Sequence, residues 1–266
     1  LKNIAVFFIL FSLCHVALGQ GEIDTQEKIL FQNERSISLS LNTNGFSGGY
    51  RFGKRKTYLN KTLFDIGIAY IKHPKETKRT PDIIGFTTSR RYVPGKMNLF
   101  INIRPSIGFQ REIFSKEDRG SIAVKYFYGI GPSIGISKPI YYTFIIGDLY
   151  GNVVDDVDEK YDYAQHPNAY IAGRASFWKG FDEIAFYPGL HVNGGFSFEY
   201  SPLNQIINAL EVSATFDAFN KKIPIMLTQH NSQFFLTISL SYRFGWVVDA
   251  KYKAPKITKE GERLTN

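Results

Sequence analysis

His191 is the side chain of this sequence best suited to acid–base work, and hydroxyls and carboxylates lie near it in the chain. It falls in an alternating stretch. Ala185, Tyr187, Gly189, His191, Asn193, Gly195, Ser197 and Glu199 share one face, and Phe186, Pro188, Leu190, Val192, Phe196, Phe198 and Tyr200 the other. In a strand rising about 3.4 Å per residue, Ser197 and Glu199 stand roughly 20 and 27 Å from His191, too far for one triad. A pair across neighbouring strands, His191 with Ser213 or Ser239, is the remaining arrangement for nucleophilic catalysis. The competing reading is an inward histidine hydrogen-bonded to a carboxylate. A second cluster, Asp155, Asp156 and Asp158 with Glu159 and Asp162, carries oxygen ligands of the kind calcium takes. It lacks the glycine and spacing of a calcium loop, so a solvated acidic loop over residues 148–166 is the stronger reading. There is no phosphate-cradling glycine loop and no HExxH. No cofactor is expected, and the balance favours a non-enzymatic protein.

The elements that must hold these residues are strands. Ser232 to Trp246 alternates strictly, with Phe234, Leu236, Ile238, Leu240, Tyr242 and Phe244 against Thr237, Ser239, Ser241 and Arg243. A strand of a soluble sandwich usually stops after about five or six residues. This one is long enough to cross a tilted bilayer, and Phe234, Tyr242, Phe244 and Trp246 suit a lipid-facing surface with interfacial aromatics. Similar alternation recurs at 36–41, 46–52, 64–70, 97–110, 122–130, 186–200 and 206–216. Shorter apolar runs fall at 140–147 and 169–178. The sum is about ten strands, with eight to twelve possible, and the fold class is an all-β, transmembrane, antiparallel up-and-down β-barrel. Pro105 weakens its ladder, and a bulge would fit there. Tyr50-Arg51-Phe52-Gly53 recurs as Tyr242-Arg243-Phe244-Gly245, which reads as two strand ends at one interface.

Residues 1–19 read as a signal peptide: Lys2, then the apolar run Ile4 to Val16, then Ala17-Leu18-Gly19 before a cleavage at Gln20. Cys14, the single cysteine, would leave with it. The barrel is expected over 20–246, and 247–266 as a polar periplasmic tail. Aromatic residues reach 15%, with 23 Phe and 16 Tyr, as suits a β-rich membrane protein. The net charge of +8 is spread along the chain, which speaks for anionic lipid neighbours and against nucleic acid. The basic stretch 73–95, with Lys75, Lys78, Arg79, Arg90 and Arg91, is a long displayed loop. With ten strands and both termini in the periplasm, loops 73–95 and 220–231 fall outside but the acidic loop 148–166 falls inside, an awkward placement for a long loop.

The polar faces hold Asp65, Arg104, Lys125, Glu199, Glu211, Asp217 and Arg243. In a barrel this small, such charges pair and fill the lumen. Gly95-Lys96-Met97-Asn98, Gly131-Pro132-Ser133-Ile134-Gly135 with Lys138-Pro139, and Lys222-Ile223-Pro224-Ile225-Met226 resemble segments of uncharacterised outer-membrane β-barrel proteins of Bacteroidetes. The resemblance extends over most of residues 36–246 and implies a Gram-negative outer-membrane barrel, with no activity or site residue attached. The expected role is that of a structural or accessory subunit of an envelope secretion or assembly complex, with outer-membrane lipids and a protein partner. A small enzyme acting on lipid or lipopolysaccharide, or a narrow channel, are the alternatives.

Overall fold

The structure is a computed structural model that describes residues 32–57, 59–80, 91–116, 121–147, 153–161, 170–200, 206–227 and 231–249. Among the described residues eleven strands are formed: β1 (Gln32–Asn42), β2 (Gly45–Arg55), β3 (Asn60–Ile71), β4 (Asn98–Phe114), β5 (Ala123–Pro139), β6 (Tyr141–Gly147), β7 (Val153–Lys160), β8 (Tyr170–Arg174), β9 (Ala185–Glu199), β10 (Ile206–Phe219) and β11 (Phe234–Asp249). Eight of them close into one barrel in the order β1-β11-β10-β9-β5-β4-β3-β2. All its neighbours are antiparallel, and β1 seals the cylinder by pairing β11 from Gln32↔Asp249 to Asn42↔Ser239. Closure leaves no edge, so every wall strand finds backbone partners without water.

The two apolar runs expected to complete a ten-stranded wall do something else. Tyr141–Gly147 and Tyr170–Arg174 join β7 in a separate three-stranded sheet, ordered β7-β6-β8, between barrel strands β5 and β9. The acidic run expected as a loop supplies its third strand, Val153–Lys160. Removing these from the wall resolves the sidedness. The segments 72–97, 140–184 and 220–233 all leave from one rim, with the tight turn at Thr43-Asn44, whereas both barrel termini and the shorter connections lie at the other. The bulge also moves: register is unbroken across Pro105, from Ile103↔Ile134 to Ile107↔Ile130, and shifts instead between Glu112 and Phe114. β11 runs three residues past Trp246, into what was expected to be tail. The expected signal peptide and the rest of the tail lie outside the described residues.

The wall is inside-out relative to a soluble protein. Ile37, Leu39, Leu41, Ile66, Ile68, Ile130, Leu190, Leu236, Ile238 and Leu240 are all exposed on its outer surface, while the inward rows are polar. At the loop rim this aliphatic band is bordered by aromatic residues, Phe46 against Tyr70 and Phe216 against Phe234. The termini rim carries Phe52 with Phe64, Phe109 with Tyr128, and Tyr242, Phe244 and Trp246. Wall strands of 11 to 17 residues exceed the roughly 9–11 a tilted bilayer crossing needs. An apolar band between two aromatic girdles is the surface a membrane-spanning barrel presents to lipid. No described helix is long and apolar enough to cross a membrane; the crossing elements are strands.

Candidate functional site

The chemistry-bearing residues of the wall project into the lumen and sort into layers along its axis. At the loop rim the layer is apolar. The segment after β10 folds into the barrel mouth and buries Ile223, Ile225 and Met226 against Ala69, Ile71, Phe100 and Phe219. Backbone bonds fix it there: Met97 N donates to Ile225 O at 3.0 Å, and Leu227 N to Gly95 O at 2.7 Å. Phe100, Phe219 and Phe235 stack and abut beneath it.

One layer down, Asp217 is fully buried and accepts from four donor atoms on two strands, β4 and β5. Arg104 reaches it through Nε at 3.0 Å and Nη2 at 2.6 Å, Asn102 Nδ2 at 2.8 Å, and Ser133 Oγ at 3.1 Å. His191 belongs to this layer. Its Nδ1 lies 3.2 Å from Ser133 Oγ and 3.1 Å from the carbonyl oxygen of Pro132. A carbonyl only accepts, so Nδ1 carries the proton and cannot take one from Ser133, whose own proton points to Asp217. Serine, histidine and aspartate therefore meet in an order in which the histidine is not the base of the serine. The partner is also a different serine from either expected one. Ser213 and Ser239 line the lumen nearby, but the hydroxyl that His191 meets is that of Ser133.

The third layer is the best knit. Arg243 grips Glu211 with Nε to Oε1 at 2.8 Å and Nη2 to Oε2 at 2.9 Å, and Arg51 Nη1 reaches the same Oε1 at 2.9 Å. Arg51 also donates from Nε to Asp65 at 2.8 Å and lies 4.7 Å over the Phe127 ring. The recurring Tyr-Arg-Phe-Gly is thus explained: both copies end at the termini rim on strands flanking β1, and their arginines converge on one carboxylate. Arg51 was absent from the expected lumen charges although its alternation with Tyr50 and Phe52 carried the signal. Between the second and third layers, small inward residues such as Gly49, Gly67, Ser47 and Ser239 leave a polar pocket of about 100 Å³.

The layer at the termini rim pairs Lys125 with Glu199, Lys61 with Glu34, and Lys116 Nζ with Glu199 at 2.7 Å. Arg55 lies 3.6 Å from Glu34, and Glu112 lies 3.8 Å from Lys125. All seven charges expected in the lumen are there, each in an ion pair. Phe234, Tyr242, Phe244 and Trp246 all face outward and are exposed.

The described part of the acidic cluster is drawn into other contacts. Asp158 accepts from Thr143 Oγ1 at 2.6 Å and pairs with Lys179. Partial burial alone would raise its carboxyl, but the hydrogen bonds from Lys179 and Thr143 outweigh that and hold it below the usual aspartate range. Asp156 is exposed, and the Asp155 side chain is outside the described ones. Among the described residues no three His, Cys, Asp or Glu side chains stand close enough to share a metal. The acid-rich strand serves instead as an edge of the rim sheet. That sheet is tied to the barrel by Tyr142, whose hydroxyl donates to the carbonyls of Val93 at 2.9 Å and Lys96 at 2.7 Å, and whose ring packs with Ile140, Phe144 and Leu99. Of the basic stretch after β3, Arg79 bridges Tyr92 through paired backbone bonds, while Arg90 falls outside the described residues.

No family model matches the chain, and no curated protein matches it. Among solved structures it is similar to the neisserial surface protein A, with 12% identity and a TM-score of 0.36 over 81% of this chain and 95% of that one. It is similar to Ail, the attachment invasion locus protein of Yersinia pestis, with 9% identity and a TM-score of 0.36 over 82% and 98%. The outer-membrane enzyme PagL gives 11% identity and a TM-score of 0.32 over 79% and 97%. Likenesses this distant transfer no role, and the eight-stranded barrel stands on the strand pairing of the chain itself.

Proposed function

We propose that the chain is a non-conducting outer-membrane barrel of a Bacteroidetes envelope, acting as a structural or accessory subunit of a secretion or assembly complex. The observation that carries this is the lumen: among the described residues an apolar cap is followed by three layers of paired charge, with small polar pockets of about 100 and 10 Å³ between them. A channel needs an open polar path, and a catalyst needs a reachable site. Here the serine–histidine contact of Ser133 and His191 is buried inside the barrel and oriented against proton transfer. Work is then left to the outer surfaces. The aromatic girdles, Phe234, Tyr242, Phe244 and Trp246 among them, face outer-membrane lipid. The long-segment rim faces the exterior, and the termini rim faces the periplasm, where a tail and a partner can meet. Reconstitution into planar bilayers is expected to give no unitary conductance events. Isolation from native membranes in mild detergent is expected to bring a protein partner at fixed stoichiometry. Recovery of the barrel alone, or regular channel openings, would overturn this reading.

A further inference from the structure

The rim sheet carries a surface that the lumen does not explain. Between β8 and β9 the chain makes a tight turn, 176–183, that exposes Phe177, Trp178 and Phe181; Trp178 is 77% exposed. The three rings touch one another, with centroids 5.5 to 5.8 Å apart. They are held in place rather than loosely displayed. Gly180 adopts φ +81° and lies so close to Pro139 and Tyr141 that a Cβ there would meet both at 3.0 Å. Lys138 Nζ donates to Lys179 O at 2.7 Å, Tyr141 Oη to Glu183 Oε1 at 2.8 Å, and Ala175 N to Tyr141 O at 3.0 Å. Lys160 pairs with Glu183.

Lys138 locates this turn relative to the wall. Along β5 the outward row is Ile130, Pro132, Ile134, Ile136 and then Lys138, so Lys138 projects from the outer surface of the barrel. Yet it is only 4% exposed, because Phe177 and Phe181 cover it, each ring centroid 4.9 Å from its Nζ. The aromatic turn is therefore folded down over the outside of the cylinder. It sits two residues, about 7 Å along the strand, above Ile136. Ile136 pairs with Phe186, whose ring is 67% exposed at the upper border of the apolar band. Arg174 lies 5.7 Å from the Phe177 ring, and among the described residues no carboxylate pairs with Lys138 or Arg174.

We infer that the turn 176–183 is a membrane-interface anchor, seating Phe177, Trp178 and Phe181 at the headgroup–acyl boundary of the outer leaflet, with Lys138 and Arg174 bracing the rings from behind. The inference rests on the membrane-spanning reading of the wall. Its surface is continuous with the apolar band, and exposed rings backed by cations match the amphipathic chemistry of that boundary. A sheet inserted between wall strands is thereby held down against the bilayer rather than standing free in solvent.

The chain has two tryptophans, which makes the seating measurable. Trp246→Phe leaves Trp178 as the only emitter, and Trp178→Phe leaves Trp246, which reports the opposite girdle. Both variants, with folding verified by heat-dependent migration on gels, go into nanodiscs of phosphatidylcholine, unlabelled or brominated near the headgroup end of the acyl chains. The expected result is loss of emission in brominated discs for both variants, with Trp178 blue-shifted and poorly quenched by acrylamide. Quenching of Trp246 alone, with Trp178 open to acrylamide, would overturn the anchor and leave the barrel reading standing. Quenching of neither would overturn the barrel reading, and the anchor with it.

Discussion

Glu211 shows how the interior of this barrel is specified residue by residue. Two guanidinium groups share its oxygens within 2.9 Å, and the side chain is buried inside the barrel. Removing one partner of a buried pair typically costs about 3–5 kcal/mol, because the other is stranded. Glu211→Gln is expected to lose about that much, read by urea unfolding in lipid vesicles. Ser133 is a different case. Asp217 keeps three other donors without it, so Ser133→Ala is expected to cost only about 1 kcal/mol. His191→Ala is expected to leave envelope lipid composition unchanged; a changed composition would reopen the enzyme alternative. The seven lumen charges were legible from alternation, since a strand one side of which is apolar assigns every second residue to the other side. Which charge meets which was not. Residues 51 and 211 are 160 positions apart and meet only across the closed cylinder.

At the scale of elements, the long wall strands were legible and the short ones misleading. Tyr141–Gly147 and Tyr170–Arg174 are apolar enough to be wall, but seven and five residues are too few to cross a tilted bilayer. Length, more than hydrophobicity, was the signal that separated them. The acidic β7 had no such signal: Asp and Glu disfavour strands, and it is one only because β6 offers it a partner. Its docking has a pH signature. The Asp158 carboxyl is depressed, so its contribution is present above the unfolded aspartate value of about 3.9 and lost as pH falls through the lower folded value. In the Trp246→Phe background, Trp178 emission is expected to change on acidification below that range, and Asp158→Asn to abolish the change. Within the wall, Gly131 is fixed by its neighbour strand. A Cβ there would lie 2.0 Å from Pro105 O and 2.8 Å from Ser106 Cα, both backbone atoms. Gly131→Ala is expected to stop β4 and β5 from closing, seen as loss of the heat-modifiable folded species.

For the whole molecule, the cap and the charge layers close the lumen independently. Replacing Lys222 to Leu227 with a Gly-Ser linker removes the buried Ile223, Ile225 and Met226 and is expected to lower stability. It should still give no conductance in planar bilayers, because three ion-pair layers remain below. The sequence by itself determined the class of object: period-two alternation over spans long enough for a bilayer, with aromatics at the ends, admits few structures other than a closed wall with polar contents. Its information is one-dimensional, so it set faces and lengths. The tertiary structure decided everything that depends on closure. It chose eight wall strands over ten, by giving two short apolar runs a third partner outside the wall. It turned His191 toward Ser133, by fixing the register of β9 against β5 and β10. And it placed the aromatic turn on the outer surface, because packing against Lys138 folds that turn down the side of the barrel.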